Sequence, residues 1–497
     1  MTETVRSSRR RATLAVAFAA EVLVMVYGMT ATVALPGIGA ALALEGGELQ
    51  WAITAYTLPL GAFLMVGGRV SDLAGRRRVL ILGLGGFALG SLVAGTAVSA
   101  AVFTAGRGVA GLGAALALPA ALATVTDLTD EGRDRTRALG WMSASIDIGM
   151  VVGALAGGAA TSILGWRWAL LIVVPPALGA AVGARLLLPE SRAANGGQRP
   201  DWLGASALAG GLALVIAALV AVQRDAAIGQ SALATLAGGA LLLALFAVRE
   251  RRPGGLLPLA LLRRSRVAAA NLSIVANAGA FCGVLVLGTL AMQRGIALTP
   301  LETGGAFVPL GLSALLGGWV APRLVERFAT GAVVAVALAI SAAGLAWMGI
   351  APGGSGYTTR MLPPFAVAGF SFAVAAVPLT ATVVDAAASA ERALAAGLFQ
   401  TFTHVGGAIV LALIVIVAGA GGLDMGFLAG AAVLLAATLT ALPLCRAPRL
   451  DFAEDVGPRA GAARREGRHE GGRARARARA QADRERAAEG RQGVGSR

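Results

Sequence analysis

Residues 67 to 80 read GGRVSDLAGRRRVL and lie between two long apolar runs. The stretch concentrates Arg69, Asp72, Arg76, Arg77 and Arg78 in a chain with few charges elsewhere. An ordinary connection between two membrane-crossing helices needs basic residues alone. It does not need an Asp and glycines fixed among them. Gly68 and Gly75 permit a tight turn and close helix approach. Asp72 is an acceptor that can cap a helix end or pair with Arg76.

The rest of the chain says what kind of loop this is. Of its 497 residues 57% are hydrophobic and only 14% are charged. A soluble domain carries about 25% charged residues, so this chain lacks the polar surface to cover a globule of its size. The apolar residues recur in blocks of about 20, the length that crosses roughly 30 Å of hydrocarbon. Fourteen spans are expected, near 12–35, 50–68, 79–99, 102–126, 137–161, 168–188, 202–222, 231–248, 268–291, 303–321, 331–351, 359–380, 394–417 and 425–444. All should be helices, because lipid offers no partner to an open backbone. The first block follows RSSRRR, but VALPGIGAALAL has no convincing cleavage site, so it reads as a retained helix.

Arginine placement tests this topology independently. The chain has no lysine, so all 42 basic residues are Arg. With the N-terminus inside, the inside loops before the tail hold 23 of them. The outside loops hold four, Arg167, Arg224, Arg294 and Arg360. Arg107 lies within a helix, and the tail from Arg446 holds fourteen. The asymmetry supports an even number of spans with both termini cytoplasmic, in a multi-pass protein of the plasma membrane. The opening stretch is then a cytoplasmic loop between the second and third helices.

In order and spacing, G-R-V-S-D-L-A-G-R-R-R-V-L resembles the signature loop of the major facilitator superfamily, GxLaDrxGrkxxl. Asp127 in TVTDLT stands where many members place a further acid. The resemblance implies a charge network bridging the two halves on the cytoplasmic side, with Gly68, Asp72, Gly75, Arg76 and Asp127 as a conformational switch. RGVAGLGAA, Arg107 to Ala115, is similar to RxxqGxgaa, with Ala110 where Gln is usual. GMVVGALAGG, Gly149 to Gly158, resembles the antiporter motif gxxxGPxxGG, with Ala154 in place of Pro. GWRWALLIVVP, VALPGI, QWAITAYTL, LPES and AAGLFQTFTHVGGAIV resemble segments of the fourteen-helix drug:proton antiporters, the EmrB/QacA type. The likeness runs from about residue 12 to 445. It implies an all-α polytopic major facilitator fold, two six-helix bundles plus two inserted helices. The bounds are a cytoplasmic N-terminus (1–11), a first bundle (12–190), a linker with two extra spans (191–266), a second bundle (267–445) and a disordered basic cytoplasmic tail (446–497).

There are departures from the family pattern. The acid that members often carry in the first helix is Tyr27 here, and the usual Asn is Thr32. The Arg and Gln of the thirteenth helix are Thr403 and His404. Tyr27, Thr32, Gln400 and His404 are the residues expected to line a substrate cavity.

Glu21, Arg107, Asp147 and His404 remain as ionisable groups inside the spans. Such groups are costly in hydrocarbon and face the bundle interior or a water path. At 1.5 Å per residue Glu21 lies roughly 14 Å from the inside edge, and Asp147 and His404 roughly 15 Å, near the midplane. Glu21 and Asp147, near Arg107, are the expected proton-coupling groups. Two readings stay open for three of these residues. Arg107 either bonds backbone carbonyls and locks its helix or relays protons; His404 either hydrogen-bonds or handles protons; Glu21 either pairs permanently with Arg107 or titrates. Gly149, Gly153, Gly157 and Gly158 suit close helix contact, and the family reading makes them a packing surface between the halves.

Other chemistry is excluded cheaply. Without lysine there is no phosphate-binding G-x-x-x-x-G-K-[ST] loop and no Schiff base. Cys282 and Cys445 should lie at different depths and suggest no disulfide, and two histidines make no metal cluster. The tail carries 14 Arg against eight acids, a composition that stays disordered and is drawn to anionic headgroups. The expected function is therefore not enzymatic. It is export of an amphipathic organic molecule, neutral or weakly cationic, by alternating access against proton entry. The alternatives are a facilitator or proton symporter for a metabolite, and a non-transporting sensor or scaffold. The expected partners are a small-molecule substrate, protons and the bilayer. No cofactor beyond the proton gradient, no nucleic acid and a monomeric chain complete the expectation.

Overall fold

In a computed structural model the residues described are 3–44, 46–129, 133–191, 201–225, 229–251, 259–351, 356–387, 392–441 and 444. The basic tail and Cys445 lie outside them. Among the described residues the chain is helical, without a strand. Fourteen helices correspond to the expected spans. The first six are α1 (Glu3–Val33), α2 (Trp51–Ala74), α3 (Arg76–Gly95), α4 (Ala100–Leu128), α5 (Arg133–Leu164) and α6 (Trp166–Leu171 continued by Val174–Leu187). The inserted pair is α7 (Trp202–Asp225) and α8 (Gln230–Glu250). Next come α9 (Ser265–Leu290, ending in a π turn Ala291–Gly295), α10 (Pro300–Ala306 continued by Val308–Arg327), α11 (Thr330–Ile350) and α12 (Leu362–Asp385). The last two are α13 (392–421) and α14 (423–440).

Two features differ from the sequence expectation. Between α13 and α14 there is no loop: the helical run Gly407–Thr440 is interrupted only at Gly422, at φ +87° and ψ 168°. Such a conformation is open to Gly at little cost, so one residue turns the chain where several were expected. The apolar stretch of α7, Trp202–Ala218, is also shorter than a full span. Local signals set other ends as chemistry dictates. Ser99 caps α4 by accepting from the Val102 N–H, and Thr299 with Glu302 forms a capping box ahead of Pro300 at the start of α10.

The packing order repeats with an offset of eight helices. α1 packs on α5 as α9 packs on α13, and α2 on α4 as α10 on α12. α3 packs on α4 as α11 packs on α12, and α3 on α6 as α11 on α14. Two six-helix halves with two helices inserted between them follow directly. The halves meet along two seams, α2 with α13 and α5 with α10.

Candidate functional site

The charged turn of the opening stretch is built around Gly75, whose φ of +104° breaks the chain between α2 and α3. Arg76 follows. It forms an ion pair with Asp127 at the end of α4, donates to the Ala123 carbonyl at 3.0 Å, and lies 3.8 Å from Asp72 one turn before it. The segment after α6 closes over this turn. The Arg76 N–H donates to the Ser191 carbonyl at 3.0 Å, and the Ser191 hydroxyl donates to Asp127 at 3.0 Å. Arg77 and Arg78 each reach Glu190 at 3.4 Å. A side chain on Gly75 would meet the Glu190 carboxylate, the movable end of a flexible chain, so it is the backbone conformation that requires Gly here. Gly68, by contrast, faces only Pro119 at ordinary contact distance.

Arg107 sits in α4 and is 0% exposed. Its Nε donates to the Ala52 carbonyl of α2 at 2.8 Å. The guanidinium lies 4.5 Å from the centroid of Tyr27 and 4.7 Å from that of Tyr56. Those two rings stand edge to face at 5.2 Å, and Phe87 of α3 also meets Tyr27 edge to face at 5.2 Å. Among the described residues neither Nη of Arg107 has a hydrogen-bond partner. The permanent Glu21–Arg107 pair considered above is therefore not formed. Two tyrosine faces occupy the place of a counter-ion, a geometry in which a cation is attracted by the ring quadrupole.

Glu21 is buried at 7% exposure on α1. The Tyr56 hydroxyl donates to the Val24 carbonyl at 3.3 Å, between Glu21 and Tyr27 along α1. Asp147 is half-buried on α5. Two residues beyond it, a Cβ on Gly149 would lie 2.8 Å from the carbonyl oxygen of Val22, Glu21's neighbour. Glu21 and Asp147 thus stand at one level along the paired helices α1 and α5. On the opposite half, His404 belongs to a π turn, Phe402–Gly406, within α13. A Cβ on Gly61 of α2 would fall 2.6 Å from the His404 Cβ, so His404 stands at the seam between halves. Gln400 is half-buried one turn before it, and Thr32 on α1 bonds its hydroxyl back to Gly28 at 2.9 Å.

The glycine ladder of α5 needs a correction. Added Cβ atoms on Gly149, Gly153 and Gly157 would meet Met25, Met29 and Thr30 of α1 at 2.6 to 2.8 Å, so three of the four glycines seal contacts inside one half. Only Gly158 faces the other half, where the Pro300 carbonyl would lie 2.6 Å from its Cβ. A period of four keeps 149, 153 and 157 on one helix face, whereas 158 is turned by one residue, about 100°, toward α10. Beside it the Ser162 hydroxyl accepts from the Leu301 N–H at 2.9 Å.

Sequence reasoning missed the roles of Glu190, Ser191, Tyr56 and Gly61. The first two stand in the LPES segment and the third in QWAITAYTL, so the motifs pointed to their positions without saying what they touch.

The fold and this site define a multi-pass membrane transporter. The family model of the Major Facilitator Superfamily matches residues 16–411, and the chain belongs to that superfamily. The puromycin resistance protein pur8 of Streptomyces alboniger is 35% identical over 81% of this chain and 80% of its own length. The cephamycin export protein CmcT of Amycolatopsis lactamdurans is 33% identical over 84% of this chain and 87% of its own. Among solved structures, a POT family transporter in complex with 5-aminolevulinic acid superposes with a TM-score of 0.64 at 16% identity, covering 87% of this chain and 96% of that one. The human organic anion transporter MFSD10 (TETRAN) does so with a TM-score of 0.56 at 18% identity, over 87% and 99% of the two chains.

Proposed function

We propose that the chain exports amphipathic organic small molecules, of the antibiotic or secondary-metabolite class, by alternating access against proton entry. The observation that carries the direction is the 35% identity to a puromycin resistance protein along 81% of the chain. Support for proton coupling comes from Glu21 and Asp147 at one level of the α1–α5 pair, in the same half as the caged Arg107. A carboxylate that changes surroundings as the halves rock takes up its proton on one side and releases it on the other. Proton and substrate then exclude each other, which is antiport.

On this reading the chain is of the fourteen-helix drug:proton antiporter type, monomeric, with both termini cytoplasmic and no cofactor. The bundles span 12–190 and 267–445, the tail lies on anionic headgroups, and nucleic acid has no part. Gly68, Asp72, Gly75, Arg76 and Asp127 serve switching, while Tyr27, Thr32, Gln400 and His404 line the cavity. The substrate is neutral or weakly cationic.

The test is puromycin accumulation by everted membrane vesicles under an imposed pH gradient. The wild type should accumulate it, and Glu21→Gln or Asp147→Asn should abolish gradient-driven uptake while puromycin binding survives. If the single and double variants still pump, the coupling group lies elsewhere, and His404 is the next to replace.

A further inference from the structure

The inserted helices α7 and α8 form a tight hairpin. Where they cross, a Cβ on Gly239 would lie 2.9 Å from the Gly211 carbonyl oxygen. At the foot, Asp201 accepts from Arg249 Nη2 at 2.7 Å, from Arg249 Nε at 3.2 Å and from the Gly204 N–H at 2.9 Å. Burial alone would push the Asp201 carboxyl up. The Arg249 and Gly204 hydrogen bonds, with the charges of Arg249 and of Arg69 in the signature turn, hold it below its ordinary value instead.

Packing on either side of α7 is unequal. Toward α2, Ala205 packs with Met65 and Val66, with Val70 alongside, and the Trp202 ring lies 6.2 Å from Phe63. Leu208 and Leu212 pack with Leu58 and Ala62, and Ile216 and Val220 lie against Trp51. From Trp51 to Val70 that contact covers about 28 Å of α2 at 1.5 Å per residue. In the same clusters α13 contributes Val405 and Ala412, a reach of about 10 Å. At Val405 the helix is wound as the π turn, and there α2 offers Gly61, with no side chain, against His404. Single π turns inside α-helices occur often at functional sites.

We propose that the inserted hairpin is a fixed part of the first half, and that α13 slides along the α2–α7 surface when the halves move. Gly61 and the π turn around His404 are the bearing point. Gly61 is thus a positioning residue for transport, and α7 backs this seam in every state. The inference rests on alternating access, but its test reads distances and needs neither efflux nor a substrate.

Val98, Ser231 and Ala420 are exposed and stand near helix ends on the first half, the hairpin and α13. Cysteines are introduced at these positions in pairs, in a background with Cys282→Ser and Cys445→Ser, and spin-labelled in nanodiscs. Distance distributions are compared at acidic and alkaline pH. The 231–98 distribution should be narrow and unchanged. The 231–420 distribution should be broader or shift by several ångström. Gly61→Val should narrow the second distribution and spare the first. The proposal is overturned if 231–420 stays fixed while 231–98 moves, or if the two behave alike. The wild-type pairs decide this even if Gly61→Val fails to fold.

Discussion

The guanidinium of Arg107 faces the ring of Tyr27 at 4.5 Å, and no carboxylate stands in the position of that ring. A desolvated cation–ring contact contributes about 2 kcal/mol, and here Tyr56 supplies a second face. Tyr27→Leu should therefore lower the melting temperature in detergent markedly, by the loss of about 2 kcal/mol. Tyr27→Phe keeps the ring and should melt close to the wild type, because the Tyr27 hydroxyl has no partner among the described residues. Equal losses in both variants would show that the hydroxyl, and not the face, holds Arg107.

Gly75 is constrained by its backbone more than by space. At φ +104° an L side chain is strained, at a cost of about 1–3 kcal/mol. Its Cβ would also meet the Glu190 carboxylate. Gly75→Ala should lower stability, and adding Glu190→Ala should return little of that loss, because the carboxylate can swing aside and the strain remains. Thermal melts of the two single variants and the double variant separate these contributions. A double variant no less stable than Glu190→Ala alone would show that the clash, and not the strain, sets the loss.

Much of this was legible from residue order. The helices follow from apolar blocks, because hydrocarbon leaves the backbone no other choice. The turn at 67–80 was legible because charge is rare in this chain and its glycines and Asp are spaced. The break between α13 and α14 was legible too, in the gap between 417 and 425, but its form was not, since nothing in AGAGG says that Gly422 alone turns the chain. Arg107 was found as a buried charge, but its cage joins Tyr27 and Tyr56 from different helices, and no local pattern announces a contact of that kind. Gly61 is one of 69 glycines, and nothing beside it says which helix it meets.

The division of labour along α5 is testable by size. Gly153 lies over Val26 and Met29 of α1, where both backbone and side chain would have to give way. Gly153→Val should therefore reduce folded yield, because overpacking costs typically about 1–3 kcal/mol. Gly158 meets the start of α10 in the other half. Gly158→Val should leave the yield near normal and loosen closure there, seen as faster thiol labelling of Leu301→Cys in the variant. If Gly158→Val fails to fold while Gly153→Val is tolerated, the assignment of the two faces is reversed.

The Asp201–Arg249 clasp sets a pH dependence of defined sign. Asp201 is held below its ordinary value of 3.8, so the folded state binds its proton less readily than the unfolded chain does. Stability from such a carboxylate is fully present above the unfolded value and is lost as pH falls through the folded one. The hairpin foot should therefore be insensitive to pH across the neutral and mildly acidic range, and weaken only below the ordinary value of 3.8. Asp201→Asn keeps the shape and removes the charge. Its melting temperature should lie below the wild type's by a constant margin at neutral and mildly acidic pH, and the margin should shrink under strongly acidic conditions. Arg249→Gln should show the same profile, since it removes the other partner of the same bond. The measurement is a series of thermal melts of the three proteins across pH. A margin that closes already near neutrality would mean that a group of higher pKa, and not Asp201, governs the foot of the hairpin.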